Sequence, residues 1–317
     1  MPKVVIAGDA NVDIVVQFPR VHAGEHGATI WPNPEVVGGG TSSNTAAAAA
    51  KLGLDVSFVG TVGDDPYGKY AAQDLEACGV DVSGLVRDPE LNTVGVFAFV
   101  DEQGERYLWG WPRERRSFKV IHEDRVDFEA LRQADWFHSS GMSLVYDTSA
   151  RSTIARMYRE AHAAGVPTSL DLNLRVDDGV LDPDFARALE AIMPDVDYLL
   201  GSGPDEFAYL GDGTWRENAQ ALAVGGRVVV VRDGANGSIA LADDEVFEAP
   251  AFTVEVEDTI GAGDVYNAGF ICAMLANRSL ASALICGNAV SGYTVARQGA
   301  RNTPTAEQLV SFIDSYN

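Results

Sequence analysis

Cysteine is scarce in this 317-residue chain: there are three, Cys78, Cys272 and Cys286. They show no CxxC spacing and no accompanying His pattern, which excludes a zinc site of the usual spacing and a disulfide scaffold. Cys272 and Cys286 lie in apolar, small-residue segments and are expected in the core. Positive charge is short as well. Lys and Arg number 23 against 46 Asp and Glu, for a formal net charge of −23. Nucleic acids and anionic membranes both require basic surface, so neither is an expected partner, and an anionic ligand would need local positive groups. Arg dominates the few basic residues, a bias that genome composition or salt adaptation would each produce. No apolar run reaches the roughly 18 residues of a membrane span. The opening MPKVVIAGDA is interrupted at Asp9, too early for a secretory signal. A reduced, cytoplasmic setting is therefore expected. A Ser/Pro-rich linker and internal repeats are also missing. What is present is 46% hydrophobic residues, enough for a sizeable core.

That hydrophobicity is arranged as short apolar strands alternating with helices. KVVIAG (3–8), DVSFVG (55–60), VPTSLDL (166–172), VDYLL (196–200) and RVVVV (227–231) read as strands, and ADWFHSSG (134–141) as a strand running into a loop. SSNTAAAAAKLG (42–53) reads as a helix started by Ser or Thr and stopped by Gly53, and YGKYAAQDLEACG (67–79) as a second closed by Gly79. In SARSTIARMYREAHAAG (149–165), Ile154, Met157, Tyr158 and Ala161 recur at helical spacing on one face. Strand and helix in repeated alternation predict a parallel sheet covered on both faces, with ligands beyond the carboxyl ends of the strands. Polar clusters fall at those ends: Asp9, Asn11 and Asp13 after the first strand, and Asp171, Asn173 and Arg175 at the end of 166–172. Period-two alternation puts the latter three on one side if the strand continues. TVGVFAFVDEQGERYLWGW (93–111) breaks the pattern with a hairpin signature around DEQG. With the extended stretches 12–18 and 28–37 it is expected to form a small second sheet, a lid over the strand ends.

One stretch concentrates chemistry. In DTIGAGD (258–264), Gly261 and Gly263 precede Asp264, where an apolar run begins. A Gly-rich turn opening a helix turns backbone N–H groups toward whatever lies in front, and the helix dipole adds partial positive charge. Such a nest suits a phosphate, and an Asp beside it can take a proton from an attacking hydroxyl. Gly263 is expected to face phosphate, with a positive φ as the reason for glycine. An ordinary helix cap is the competing reading, and GAGD alone does not separate the two.

DTIGAGD resembles the C-terminal signature of the PfkB (ribokinase-like) carbohydrate kinases. VVGGGTSSNTAAAAAKLG (36–53), followed by VSFVGTVGDDPYG (56–68), resembles their N-terminal signature, and the order and separation match over essentially the whole chain. The resemblance implies an α/β fold, a ribokinase-like doubly wound, mostly parallel sheet flanked by helices with a small β-sheet lid, as one kinase domain over 1–317. It implies ATP and Mg2+ as cofactors. Asp264 would be the general base, with Gly261, Ala262 and Gly263 as the anion hole. Asp13, Gly39, Gly40 and Asn44 would bind sugar hydroxyls. Asn173 and Arg175 of DLNLR, Arg232, Gly234 and Gly237 around DGANG (233–237), and Asn288 would face the nucleotide. Glu206 would meet the metal through water, and a monovalent cation is a further candidate near Asp258 and Ile260.

The chain also departs from the family. Ile260 stands where Thr is usual, Gly203 where an Asn of a metal-linked motif is expected, and Arg232 where Thr or Lys is common. DLNLR and FHSSGMSL (137–144) look most like the fructokinase and 2-keto-3-deoxygluconate kinase branches, which suggests a ketose or keto-sugar acid as acceptor. The hairpin runs into ERYLWGWPRERRS (105–117), with Arg106, Arg113, Arg115 and Arg116, and an inward Arg could hold a carboxylate or sugar phosphate. Trp31, Trp109 and Trp111 could stack on a sugar or a nucleobase, the latter suggesting a nucleoside kinase, or could be lid or dimer core. A non-catalytic sugar sensor is a further alternative, motivated by Gly203. Exposed lid strands suggest a homodimer.

Overall fold

The computed structural model describes residues 1–17, 33–100, 106–112, 114–243 and 245–316. The chain begins with β1 (Lys3–Ala7), leaves for β2 (Asn11–Gln17) and β3 (Glu35–Gly39), and passes through α1 (Thr41–Lys51) to β4 (Asp55–Gly63). There follow α2 (Pro66–Ala77), β5 (Asp81–Asp88), the hairpin β6 (Gly95–Val100) and β7 (Arg106–Trp111), α3 (Phe128–Arg132), β8 (Trp136–Ser140), α4 (Ser149–Ala163) and β9 (Thr168–Asp171). A two-residue hairpin, β10 (Val176–Asp177) and β11 (Val180–Leu181), precedes α5 (Pro183–Ile192), β12 (Tyr198–Ser202), α6 (Trp215–Leu222) and β13 (Val228–Arg232). The chain closes with β14 (Ser238–Ala242), β15 (Glu245–Ala249), α7 (Ala262–Leu275), α8 (Leu280–Val295) and α9 (Ala306–Asp314).

Among the described residues, nine strands form one sheet in the order β15-β14-β13-β12-β9-β8-β1-β4-β5, parallel except where β14 and β15 join at one edge. Strand alternation divides the core. Val5 and Ala7 of β1 pack with Ile154, Met157 and Tyr158 of α4 and Phe185 of α5. Val4 and Ile6 face the other way, onto the alanines of α1 and onto Val265, Ala268 and Ile271 of α7. Helices on both faces explain why these strands read as apolar runs.

β3, β2, β6 and β7 form a separate four-stranded sheet in that order. The expected lid segments fall on these strands, except that 18, 28–32 and the hairpin tip 101–105 lie outside the described residues. No helix among the described residues is long and apolar enough to cross a membrane.

The start of α1 differs from the Ser/Thr cap the sequence suggested. Its N-cap is Gly40, at φ 102°. The Asp9 carboxylate, arriving from the end of β1, accepts the Thr41 and Ser42 N–H groups at 3.0 and 3.1 Å. An acid from a distant strand thus satisfies two of the orphan donors of the helix, and the strand end and the helix start become one rigid unit.

Candidate active site

The loop before α7 is pinned at Asp258, whose carboxylate accepts the N–H of Ile260 at 2.7 Å and of Gly299 at 2.9 Å. Gly261 then takes the left-handed conformation, φ 74°, as the N-cap of α7. A Cβ there would sit 2.4 Å from the Ala300 Cβ, so both backbone angle and space call for glycine. Gly263 differs from expectation. It is inside the helix, and its φ is not in the positive region. Space is tight there, because a Cβ would lie 3.1 Å from Cζ of Arg232 and the guanidinium would have to give way. Among the described residues the N–H groups of Gly261 and Gly263 meet no acceptor, whereas that of Ala262 reaches the Thr259 carbonyl at 3.3 Å. The nest therefore offers two free amides flanking one that is partly used.

Asp264 follows in the first turn of α7 and is buried. Asn44 Nδ2 donates to its Oδ2 at 2.7 Å, and the Thr45 hydroxyl donates to its main-chain carbonyl at 3.0 Å. Burial, then the negative charge of Asp171, push the Asp264 carboxyl well above the usual range. The Asn44 hydrogen bond and Arg232 oppose that rise, and Asp9 adds to it. A carboxylate held poorly solvated is a better proton acceptor than one in water.

Two cavities meet at this helix start. The first, about 790 Å3, is lined by Asp9, Asn11, Asp13, Asn44, Gly261 and Asp264, and is roofed by Val94, Val96 and Ala98 of the small sheet and its approach. The second, about 610 Å3, is lined by Arg232, Gly234, Gly237, Asn288, Ala262 and Gly263. Gly261 and Asp264 face one cavity while Ala262 and Gly263 face the other. A hydroxyl in the first and a phosphate in the second would thus converge on a base and on backbone donors.

Arg232, at the end of β13, ties the floor of the second cavity together. Nη2 donates to Asp171 Oδ1 at 2.7 Å and lies 3.5 Å from Glu206 Oε2. Nη1 donates to Asn267 Oδ1 at 2.7 Å and to the Gly263 carbonyl at 3.1 Å. Two flanking carboxylates outweigh its burial and hold the guanidinium above its usual range. Glu206 is committed as well: Oε1 accepts the Leu174 N–H at 2.8 Å and Oε2 the Ser202 N–H at 2.5 Å. Burial and Asp171 push its carboxyl up. The Asn missing at Gly203 has a local cause, since a Cβ there would lie 3.0 Å from the Trp215 ring.

The remaining expected site residues fall as follows. Asp13 lies in the first cavity, and Gly39 packs beneath it, with a hypothetical Cβ 2.5 Å from Asp13 Oδ2. Burial raises the Asp13 carboxyl to about 6, with Arg301 opposing and Asp9 and Asp258 assisting. Gly40 lines the same cavity. Asn173, at φ 38°, donates to the Thr41 hydroxyl at 3.2 Å. Arg175, expected at the nucleotide phosphates, lines the first cavity instead. Gly234 has φ 52° with open space around it, whereas Gly237 has φ 98° and a Cβ there would collide with the Ala249 carbonyl. Asn288 donates to the Ala249 and Pro250 carbonyls, both at 3.1 Å, and so shapes the wall of the second cavity. Arg116 lines the first cavity, while Arg115 is exposed and lies 3.8 Å from Glu90. Trp31 and Arg113 lie outside the described residues. Trp109 and Trp111 pair with Phe97 and Gly95 on the face of the small sheet opposite Val96 and Ala98, so they turn away from the first cavity. Sequence reasoning missed Arg301, whose side chain reaches Asn44, and the apolar wall of Phe252, Val254 and Val256 in the second cavity. A local motif signals neither.

The second cavity suits a nucleotide: apolar walls for a base at one side, and glycine backbone and Arg232 at the other. Among the described residues no cluster of three His, Cys, Asp or Glu could hold a metal alone. Mg2+ is commonly held by one or two carboxylates plus phosphate oxygens, and Asp205, on the cavity wall beside the buried Glu206, fits that mode.

An open α/β sheet with a buried Asp and free backbone amides at a helix start, between two adjoining cavities, is an arrangement that could serve phosphoryl transfer. The family model for pfkB family carbohydrate kinases matches residues 1–307, and the chain belongs to that family. It is an ATP-dependent carbohydrate kinase. An ATP-dependent ribose-1-phosphate kinase of Halopiger xanaduensis is 32% identical over 318 residues, covering 99% of this chain and 98% of its own. A fructokinase of Vibrio alginolyticus is 29% identical, with 99% of each chain covered. Among solved structures, a fructokinase with bound ATP from Xylella fastidiosa matches with a TM-score of 0.82 at 25% identity, covering 99% of this chain and 98% of that one. A ribokinase II candidate from E. coli, solved with ATP and Mg2+, matches with a TM-score of 0.85 at 23% identity over 99% of this chain and 100% of that one.

Proposed function

We propose that the protein transfers the γ-phosphoryl group of ATP to a hydroxyl of a sugar that also carries an anionic group, a sugar phosphate or sugar acid. The observation that carries this is the pair Arg116 and Arg175 on the wall of the first cavity. Neither meets a carboxylate within salt-bridge distance among the described residues, in a chain where acids outnumber bases two to one. Guanidinium groups left without a carboxylate suit phosphate or carboxylate. The similarity to a ribose-1-phosphate kinase supports the first option, and the resemblance of DLNLR to 2-keto-3-deoxygluconate kinases the second.

In this reading Asp13 and Asn44 orient the acceptor, and Asp264 Oδ takes the proton of the attacking hydroxyl. ATP supplies the phosphoryl group when bound. The Gly261 and Gly263 amides and Arg232 stabilise charge on the transferring group. The small sheet acts as a lid that excludes water from the transfer. A monovalent cation beside Asp258 and Ile260 belongs to the same reading and is tested by comparing turnover in potassium and in a bulky organic cation. Of the three tryptophans behind the nucleoside-kinase alternative, Trp109 and Trp111 turn away from the first cavity and Trp31 lies outside the described residues, so the choice between sugar and nucleoside rests on the substrate panel. Against the sensor alternative stands the membership of the chain in a family of ATP-dependent kinases.

The deciding experiment is a panel of ribose 1-phosphate, 2-keto-3-deoxygluconate, fructose, ribose, adenosine and inosine with ATP, read by mass spectrometry. An anionic sugar is expected to give the highest kcat/KM, and Arg116→Ala and Arg175→Ala to raise its KM. Preference for fructose, indifferent to both substitutions, would overturn the anionic-acceptor reading.

A further inference from the structure

Behind the base lies a chain of hydrogen bonds whose outer member has no assigned role. Arg301 follows Gly299 and Ala300, and its side chain is 13% exposed. Nε donates to Asp74 Oδ2 at 2.7 Å. Nη1 donates to Asn44 Oδ1 at 2.6 Å and to the Ser43 carbonyl at 3.1 Å, and Nη2 to the Ser43 hydroxyl at 3.3 Å. Asn44 then donates through Nδ2 to Asp264 Oδ2 at 2.7 Å. The arrangement is crowded from outside as well: a Cβ on Gly38 would lie 2.0 Å from Asp74 Oδ2 and 2.7 Å from Arg301 Nη2.

The two ends of an Asn amide are chemically opposite, one an acceptor and the other a donor. A guanidinium has donors only. With Arg301 against it, Asn44 must turn its Oδ1 outward, which leaves Nδ2 for Asp264. Were the amide reversed, Oδ1 would face Asp264, and only a protonated carboxyl could satisfy that contact. We propose that Arg301 is a positioning residue for phosphoryl transfer: by fixing which end of Asn44 faces Asp264, it keeps the base in the form that can accept a proton. The inference rests on Asp264 being the base.

The surroundings of Asp264 make that orientation matter. Burial and the carboxylates of Asp171, at the end of β9, and Asp9, at the end of β1, all favour its protonated form. Asp13, on β2, lines the same cavity. The Asn44 N–H from α1, Arg232 from β13 and the N-terminal end of α7 itself favour the ionised form. Removing the Asn44 support should therefore raise the pH at which the base is lost.

The test is the pH dependence of kcat in Arg301→Gln, made together with Asp74→Asn so that no half-buried carboxylate is stranded. Gln can offer either a donor or an acceptor, so Asn44 is no longer forced. The acid limb of kcat is expected to move up by about one pH unit, a roughly tenfold loss of turnover below the limb, with the KM for ATP unchanged. Arg301→Lys, again donors only, is expected to restore the wild-type limb. A 13C NMR titration of the Asp264 carboxyl reads the same shift directly in any folded variant, active or not. An unchanged limb and an unchanged Asp264 titration, with kcat reduced evenly across pH, would overturn the inference. Failure of the underlying reading looks different: Asp264→Asn would then keep its turnover.

Discussion

At the scale of single residues, the site is a contest between burial and pairing. Asp264 is buried beside other carboxylates and held by one amide hydrogen bond. Asp264→Asn keeps the shape and removes the proton acceptor. Turnover is expected to fall by roughly 10²–10⁴, the usual worth of a positioned general base, while calorimetry shows acceptor and nucleotide still binding. Near wild-type turnover would take Asp264 out of that role. Asp13 carries a second consequence. Its folded-state carboxyl is raised to about 6 from an ordinary 3.8. The folded protein therefore holds that proton more tightly than the unfolded chain. The resulting stabilisation is complete below the ordinary value and is lost as pH rises through about 6. Asp13→Asn should remove this loss, so the ligand-free variant should gain stability relative to wild type between pH 4 and pH 7.5, while binding its acceptor less well. Urea midpoints across that range measure the difference, and parallel curves for the two proteins would refute the assignment.

At the scale of elements, the small sheet is the part expected to respond to substrate, if it acts as the proposed lid. Val96 and Ala98 of β6 face the first cavity, and Asp13 on the neighbouring β2 lies in it too. Acceptor binding and lid order should therefore be linked. Amide exchange in β6 and β7 is expected to slow at saturating acceptor, and ATP hydrolysis without acceptor to be slow. Unchanged exchange alongside normal turnover would assign the exclusion of water to another segment. The elements themselves were largely legible. Buried parallel strands read as β-branched runs, and the DTIGAGD turn marked the start of α7, where Gly261 is required by its φ and Gly263 sits close against Arg232. What was not legible depended on contacts distant in sequence. Asp9 caps α1 from 32 residues away. Arg301 reaches Asn44 from 257 residues away. The position of Arg175 has a local reason: alternation holds only while a strand lasts, and β9 ends at Asp171, after which Asn173 takes a positive φ. Beyond that break Arg175 lines the first cavity.

At the scale of the whole molecule, two properties pull against each other. The outer face of the small sheet is apolar, with Phe97 stacked on Phe99 and Trp109 and with Tyr107 and Trp109 more than half exposed. Apolar aromatic surface, and edge strands β3 and β7 that no further described strand pairs, favour pairing with a second copy. The net charge of −23 opposes it, because two like-charged chains repel until salt screens them over about 10 Å at 0.1 M. The expected outcome is a homodimer joined through these faces, tighter in concentrated KCl than in dilute buffer. Light scattering coupled to size exclusion measures the mass across salt and protein concentration. Trp109→Glu, which points away from the first cavity, should give a monomer at every salt concentration. A wild-type chain that stays monomeric in concentrated salt would mean that other residues of the same chain satisfy this face.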